Sequence, residues 1–153
     1  MGEKRAATRR PRLVPVSPPA SSQAVRKVMQ GNQSSGTKPE VAVASAIHRR
    51  GLRYRKHVNP DPSLRCKADF VFRKARVAVF VDGCFWHGCP EHGRIPKDPT
   101  GYWAAKLKRN FERDRANDAA LAALGWAVLR FWEHEDPEGA ATVVEVLVRR
   151  RSP

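Results

Sequence analysis

The sequence predicts one α/β domain in which helices flank a mixed sheet. Three observations support this fold class: short apolar, β-branched segments typical of buried strands, amphipathic segments between them, and no internal repeat in 153 residues. We expect the domain to cover residues 34–153. Residues 1–33 are rich in arginine and proline, so we expect them to form a basic, flexible arm.

The domain is expected to begin with a helix near Thr37. Thr37 and Glu40 have capping-box spacing, and Pro39 suits the first turn. Gly51 ends this segment. Its expected apolar face consists of Val41, Val43, Ala44 and Ile47. Capping alone accounts for Glu40, and a role near an active site is the alternative.

Four strands and two helices follow in the prediction. Residues 52–58 alternate in polarity like an edge strand, and residues 67–72 and 76–81 are interpreted as a hairpin. A basic helix is predicted at residues 101–124 and a buried strand at residues 126–132. The apolar face of that helix is expected to contain Trp103, Leu107, Phe111 and Leu121. Pro137 opens a last helix, with Val143, Val144 and Leu147 expected to face inward.

The net charge of +14 arises from 29 Lys and Arg residues against 15 Asp and Glu residues. Such an excess is typical of proteins with a polyanionic partner, so we expect nucleic acid. A membrane surface, or a basic tail on a neutral domain, is the alternative. No apolar run has the length of a membrane span and no signal peptide is visible, so we expect a cytoplasmic protein without a membrane partner.

A segment rich in cysteine and histidine follows the third strand. Cys84, Cys89 and His92 have the close spacing of zinc ligands, among turn residues that let them converge. The fourth ligand is either His87 in the same segment or a distant residue, for which His134 is the best candidate. Two buried cysteines with surface histidines are the metal-free alternative. Three cysteines cannot pair evenly, which favours a reducing compartment.

Two aspartates are expected at one end of the hairpin. Asp69 lies on one strand and Asp82 ends the other, and paired carboxylates there suit Mg²⁺ for phosphodiester cleavage. His87 follows closely and has an unperturbed pKa suited to general acid or base catalysis. A salt bridge at Asp69 and an ordinary Asp-Gly turn at Asp82 are the structural alternatives.

Several motifs together resemble the very short patch repair (Vsr) DNA mismatch endonuclease family. They occur in the family's order within residues 25–136, and the Cys-Phe-Trp-His motif is highly specific. The motifs are residues 36–40, 68–70, 82–89, 102–103, 110–114 and 125–133. The resemblance implies a restriction-endonuclease-like fold. It also implies nicking on the 5′ side of the thymine in T:G mismatches left by deamination of 5-methylcytosine.

The resemblance implies site residues at matching positions. Asp69 corresponds to the Mg²⁺ ligand, His87 to the catalytic histidine and Glu40 to an acidic residue near the metal. The structural zinc ligands correspond to Cys84, Cys89, His92 and His134. The aromatic residues that insert into the base stack beside the mismatch correspond to Phe85, Trp86 and Trp103. The best-known members carry histidine at the position of Asp82, which is kept here as a second candidate catalytic residue and Mg²⁺ ligand.

The expected function is Mg²⁺-dependent nicking of double-stranded DNA at T:G mismatches. We expect a zinc-stabilised monomer in the bacterial cytoplasm, associated with the nucleoid, with other mismatch-repair proteins as further candidate partners. A nuclease of the same fold with another DNA target is one alternative. A non-enzymatic, zinc-stabilised DNA-binding module is another, and Asp69 and His87 argue against it because phosphate binding alone does not require them.

Overall fold

The computed structural model describes Gln23 and residues 35–93, 96–98 and 100–153. Within them, helices flank a mixed four-stranded sheet, as predicted. The helices are α1 (Lys38–Arg49), α2 (Cys84–His87), α3 (Tyr102–Ala123) and α4 (Pro137–Arg151). The strands are β1 (Arg55–Val58), β2 (Ala68–Phe72), β3 (Val77–Asp82) and β4 (Ala127–Trp132). Apart from Gln23, the arm predicted at residues 1–33 lies outside the described residues.

The sheet has the order β1-β2-β3-β4. The predicted hairpin is confirmed, since β2 and β3 are antiparallel and Phe70 pairs with Val79. β4 runs parallel to β3, with α3 in the connection between them, and Asp82 pairs with Trp132. The carboxyl ends of β3 and β4 therefore lie together with the start of β2, at one edge of the sheet.

Side chains of the strands alternate between two cores, as the pleat requires. One face of the sheet packs against α1 and α4, and its buried residues include Ile47, Phe70, Val77, Phe131 and Val144. The other face packs under α3, and its buried residues include Val71, Ala78, Phe80, Leu121 and Trp126. Fully burying one large apolar side chain contributes about 1.5–3 kcal/mol, so the two layers fix the sheet edge that carries the polar residues.

The start of α1 holds an acidic side chain inside the protein. Oγ1 of Thr37 accepts from the backbone N–H of Glu40, at 3.5 Å, as the capping pattern predicted. The carboxylate of Glu40 accepts from the backbone N–H of Gly36 at 2.7 Å, one residue earlier than in a standard capping box. Glu40 is only 6% exposed, so capping and burial place its carboxylate among the interior groups.

Three apolar side chains expected in buried faces are exposed. These are Val41 (55%), Phe111 (51%) and Val143 (48%). Val41 and Val143 each lie next to a buried residue of the same helix, because successive helical residues differ by about 100° in direction, whereas α3 buries only Leu121. In α4, for example, Val144 and Val148 occupy the buried face. Among the helices of the described part, none is long and apolar enough to span a membrane.

Candidate active site

The polar residues of the site are attached to the edge where β3 and β4 end. α2, a single helical turn that the sequence did not predict, starts two residues after β3. Oε1 of Glu133 accepts from the backbone N–H of Cys84 at 2.8 Å. The backbone N–H of Glu133 donates to the carbonyl of Asp82 at 2.9 Å. These bonds join the residues after β4 to the start of α2, so the side chains of both segments converge.

The first group at this edge contains Glu40, His57 and Asp69. Nε2 of His57 lies 3.6 Å from Oε2 of Glu40, and its Nδ1 lies 3.7 Å from Oδ1 of Asp69. One donor atom from each of the three residues lies within 4.8 Å of the others. Carboxylate oxygens and an imidazole nitrogen are ligands for divalent cations, so this donor set fits a metal ion.

Burial makes this group electrostatically unfavourable without a cation. It raises the pKa of Asp69 to about 6, and the nearby charge of Glu40 adds to the effect, although the N–H of Val81 donates to Asp69 at 2.7 Å. Within the described residues, neither Glu40 nor Asp69 forms a salt bridge with a lysine or arginine. The chain has a net charge of +14, so basic residues are abundant, yet none of those described pairs with these carboxylates. The two carboxylates therefore suit a bound cation.

Asp82 lies in a different arrangement from Asp69. Both of its carboxylate oxygens accept from Nη1 of Arg130, at 2.9 and 3.0 Å, and the same guanidinium binds Asp118. Burial raises the pKa of Asp82, with the charge of Arg130 opposing the increase. The donor group of Glu40, His57 and Asp69 does not include it. The assignment of Asp82 as a ligand for Mg²⁺ therefore stays a prediction.

His87, in α2, is hydrogen-bonded to Asp114 of α3. Its Nδ1 lies 2.6 Å from Oδ2 of Asp114 and 3.8 Å from Oδ1 of Asp82. Burial lowers the pKa of His87, but the bond to Asp114 and the charge of Asp82 outweigh it, so the pKa is raised. Burial raises the pKa of Asp114, but the bond to His87 and the charges of His87 and Arg130 together outweigh it, so the pKa is lowered. An ionised carboxylate only accepts, so Nδ1 carries the proton and Nε2 is available for proton exchange.

A second donor group contains all four predicted zinc ligands: Cys84, Cys89, His92 and His134. Nδ1 of His134 lies 3.1 Å from Sγ of Cys84, 3.8 Å from Sγ of Cys89 and 3.2 Å from Nδ1 of His92. Two thiols and two imidazoles suit tetrahedral zinc. Nε2 of His134 lies 3.4 Å from a carboxylate oxygen of Glu91, an outer partner of the kind that orients histidine ligands.

Aromatic side chains from α2 and α3 form a third group. The ring centroid of Trp86 lies 4.9 Å from that of Phe85 and 5.9 Å from that of Trp103. Phe85 is 37% exposed, and these three rings belong to neither of the two cores. Nζ of Lys106 lies 4.9 Å from the ring centroid of Trp86, within cation–π range. The group is an apolar surface with a positive charge over it.

A surface cleft of about 540 Å³ continues from the aromatic group along α3. Its lining residues are Tyr102, Lys106, Arg109, Asn110, Glu112 and Arg113. Three of these six side chains are positively charged and one is negatively charged, so the cleft suits an anionic ligand. The basic face that the sequence predicted for this helix therefore lies beside the aromatic side chains.

Sequence reasoning missed three side chains of the site: His57, Asp114 and Arg130. His57 lies within residues 52–58, which the sequence predicted as an alternating edge strand with no role for this residue. The position of Asp114 could have been predicted, because it lies four residues after Asn110 and residues with this spacing lie on the same face of a helix. In the structure, Asn110 donates to the carbonyl of Trp86 at 3.2 Å, one residue before His87. Arg130 is an isolated charge in a strand and gave no such signal.

Comparisons with known proteins agree with the motifs. Residues 21–91 match the family model described as DNA mismatch endonuclease Vsr. The type II nicking enzyme V.NaeI of Lentzea aerocolonigenes is 51% identical over 122 residues, which are 78% of this chain and 74% of that protein. The type II nicking enzyme V.NmeDIP of Neisseria meningitidis serogroup C is 48% identical over 112 residues, which are 72% of this chain and 74% of that protein.

A third relative is the DNA mismatch endonuclease Vsr of Escherichia coli (strain K12). It is 36% identical over 111 residues, which are 70% of this chain and 67% of that protein. The fraction of each chain that is aligned and the sequence identity are both higher than a shared fold alone would explain. The chain belongs to the Vsr family of endonucleases.

Proposed function

We propose that this protein is a Mg²⁺-dependent DNA endonuclease with a restriction-endonuclease-like fold that nicks one strand 5′ of the thymine in a T:G mismatch. The observation that carries the proposal is the convergence at one sheet edge. Two largely buried carboxylates, which have no lysine or arginine partner among the described residues, lie there with a hydrogen-bonded histidine, beside an aromatic group and a basic cleft. The name of the Escherichia coli relative supports mismatched DNA as the substrate.

Asp69 and Glu40 would hold the metal ion, which when bound polarises the scissile phosphate and lowers the pKa of a water. His87 acts through Nε2, which takes a proton from the attacking water or gives one to the leaving oxygen. Asp114 keeps Nδ1 protonated and fixes the direction of the ring. A positioned acid or base of this kind contributes about 10²–10⁴ in rate.

The aromatic group would recognise the mismatch by entering the base stack. Phe85, Trp86 and Trp103 are partly exposed on the side of the domain that carries the basic cleft. Wedge insertion costs a few kcal/mol per unstacked step, and the cost is smaller at a mismatch than at a matched pair. Lys106 would add attraction to the backbone near the inserted rings.

A structural zinc ion would hold this apparatus together. Cys84 and Cys89 lie at the two ends of the segment that carries Phe85, Trp86 and His87, and His134 follows β4. One ion bound by these residues and His92 would fix the segment to β4. The catalytic side chain of His87 and the inserting rings of Phe85 and Trp86 would then have a defined orientation relative to the sheet.

The test is a nicking assay on matched pairs of DNA duplexes. We expect the chain to nick a duplex with one T:G pair 5′ of the thymine when Mg²⁺ is added, and to leave it intact when no divalent cation is present. The same sequence with T:A should stay intact. Equal cleavage of both duplexes, or cleavage that persists after Mg²⁺ is removed with a chelator, would contradict the proposal.

A second candidate is a nickase specific for a sequence in matched DNA. It is favoured by the names of two relatives that are 51% and 48% identical, since both are called type II nicking enzymes. Cleavage of one strand at a fixed sequence in a fully matched plasmid would support this function. The T:A duplex of the first assay, placed within varied flanking sequences, distinguishes the two functions.

A further inference from the structure

His57 is the one member of the carboxylate group that the family resemblance leaves without a role. It lies on β1, opposite Asp69 on β2, between the paired residues Lys56–Phe70 and Val58–Ala68. Residues directly opposite on neighbouring strands place their side chains close together. The φ of His57 is 50°, in the left-handed region that few non-glycine residues adopt.

The surroundings of His57 are acidic. Its two ring nitrogens lie 3.6 Å from Glu40 and 3.7 Å from Asp69, and no other ion pair involves its ring in the described part of the chain. The carboxylates are largely buried, while the side chain of His57 is 34% exposed. An imidazole at the solvent side of two buried carboxylates can supply a lone pair to an ion between them.

We propose that His57 is a third ligand of the catalytic metal and that it gives this protein a preference for Mn²⁺ over Mg²⁺. The inference rests on the proposed nuclease function, because it concerns the same site. It is carried by the donor group itself, in which one atom each from Glu40, His57 and Asp69 lies within 4.8 Å of the others. A single ring nitrogen of His57 therefore lies within 4.8 Å of a carboxylate oxygen of each partner, so one nitrogen can serve an ion held between them.

The expected metal preference follows from ligand chemistry. Mg²⁺ binds oxygen ligands in near-ideal octahedral geometry and retains several waters, so an imidazole adds little to its affinity. Mn²⁺ accepts carboxylate oxygens equally well and also binds imidazole nitrogen, as other first-row transition metals do. Two carboxylates alone would bind both ions. The imidazole is the group that distinguishes them.

The experiment measures metal binding without DNA, on the full chain loaded with zinc. Mn²⁺ is weakest in the first-row affinity order and does not displace zinc from the cysteine-containing group. Mn²⁺ binding is followed by loss of the electron paramagnetic resonance signal of the free ion, and Mg²⁺ binding by competition. We expect the wild type to bind Mn²⁺ at least about tenfold more tightly than Mg²⁺, since loss even of an outer-shell partner changes metal affinity about 10–100-fold.

The variant His57→Gln should lower Mn²⁺ affinity about tenfold or more and leave Mg²⁺ affinity within about twofold. His48→Gln is the matched control, because His48 is exposed on α1 and contacts Arg53 rather than either carboxylate. It should bind both ions like the wild type. Unchanged Mn²⁺ affinity in His57→Gln, or equal losses for both ions, would overturn the proposal and indicate a neighbouring charge or a structural role.

A second measurement uses the wild type alone and does not depend on how the variant folds. Substoichiometric Mn²⁺ should broaden the ring resonances of His57 strongly and those of His48 weakly. Absence of this difference would also overturn the proposal. The nicking assay separates the two claims. If Mn²⁺ binding depends on His57 but the wild type does not nick DNA, the proposed nuclease function is wrong and the assignment of His57 as a ligand stands. If the wild type nicks DNA but His57→Gln binds Mn²⁺ normally, the ligand assignment is wrong and the nuclease function stands.

Discussion

Nδ1 of His87 lies 2.6 Å from Oδ2 of Asp114, and this hydrogen bond joins the turn after β3 to the long helix α3. The pKa of the histidine is raised and that of the aspartate is lowered, so both shifts favour a charged pair. The bond also fixes the tautomer. Asp114 therefore determines which nitrogen of His87 is left free to exchange a proton.

Asp114→Asn should reduce nicking strongly without abolishing binding of DNA. The amide can donate to Nδ1 and so favour the wrong tautomer. The nicking rate should fall by at least about tenfold, and by no more than the 10²–10⁴ that a general acid or base contributes. The pKa of His87 should fall, because Asp114 no longer stabilises its protonated form. Nitrogen resonances of the ring, followed against pH, give both the tautomer and the pKa.

The control for this variant is Glu112→Gln. Glu112 is an exposed acid on the same helix, and its carboxylate lies 4.0 Å from Nζ of Lys108, so its loss removes the same charge from α3 without touching His87. It should retain the wild-type pKa of His87. Because Glu112 lines the cleft, rates are compared at saturating DNA, where this variant should match the wild type. Equal rates for Asp114→Asn and the wild type would show that the hydrogen bond does not serve catalysis.

Asp69 should make the metal-free protein less stable at neutral pH. Its folded pKa of about 6 lies above the ordinary value of 3.8, so folding favours the protonated form. That contribution to stability is fully present below about pH 4 and is lost as the pH rises through about 6, at a cost of roughly 1–3 kcal/mol. Without metal, Asp69→Asn should therefore be more stable than the wild type at pH 8 and equally stable near pH 3.5.

Denaturant unfolding at the two pH values measures this effect. Added Mg²⁺ should stabilise the wild type by mass action and leave Asp69→Asn unaffected. Asp61→Asn is a control of opposite sign, because hydrogen bonds from Ser63 lower the pKa of that exposed turn aspartate. A wild type that is the more stable protein at pH 8 in chelator would contradict the electrostatic interpretation of the site.

The local parts of the fold were predictable from the sequence. The apolar run of β3, the cap at Thr37 and the close spacing of Cys84 and Cys89 are patterns within a few residues, and each was found where expected. Capping chemistry even placed Glu40 at the start of α1. The two carboxyl ends of β3 and β4 meet because the strands are parallel, which explains why the distant His134 reaches the cysteines.

The long-range polar contacts were not predictable in the same way. The approach of His57 to Asp69 depends on the register of β1 against β2 and on a backbone angle that the residue type disfavours. The pairing of Asp82 with Arg130 depends on which neighbour β4 selects in the sheet. Val143 and Val144 are adjacent and equally apolar, so only the packing of α4 decides which one is buried.

Cys89→Ser should lose zinc and unfold at a lower temperature. Structural zinc contributes its binding free energy to folding, and serine is a poor ligand for this ion. Cys66→Ala is the matched control, because Cys66 is equally buried but belongs to the core under α3. It should retain one zinc per chain. Elemental analysis and thermal unfolding measure the two effects, and a zinc-free wild type that is soluble and folded would refute the prediction.

Lys106→Gln should weaken DNA binding and reduce its dependence on salt. Each phosphate neutralised by a side chain contributes about −0.9 to the slope of log affinity against log salt concentration, so the slope should become less steep by about that amount. Lys74→Gln is the control, because this exposed lysine lies in the turn between β2 and β3, at the opposite end of the sheet. Fluorescence anisotropy of a labelled duplex at several salt concentrations measures both slopes. Identical slopes for the two variants would place the DNA elsewhere on the molecule.

Trp86→Ala should leave the fold intact and remove discrimination between mismatched and matched DNA. The ring is outside both cores, and its neighbours are Phe85, Trp103 and the ammonium group of Lys106. Stacking of one base on an aromatic ring is worth about 1–3 kcal/mol, and that energy is available only where the base pair opens readily. The affinity for a T:G duplex should fall by this amount, while the affinity for a T:A duplex should change little.

Phe111→Ala is the control for Trp86→Ala. It removes an exposed aromatic ring of α3 that packs against the guanidinium of Arg115 and makes no ring contact with Phe85, Trp86 or Trp103. It should discriminate between the duplexes like the wild type. Thermal unfolding separates recognition from stability, since a ring that serves only in packing would lower the melting temperature. A Trp86→Ala protein that is strongly destabilised but still prefers the T:G duplex by the wild-type factor would show that the ring belongs to the scaffold and that the mismatch is read by other side chains.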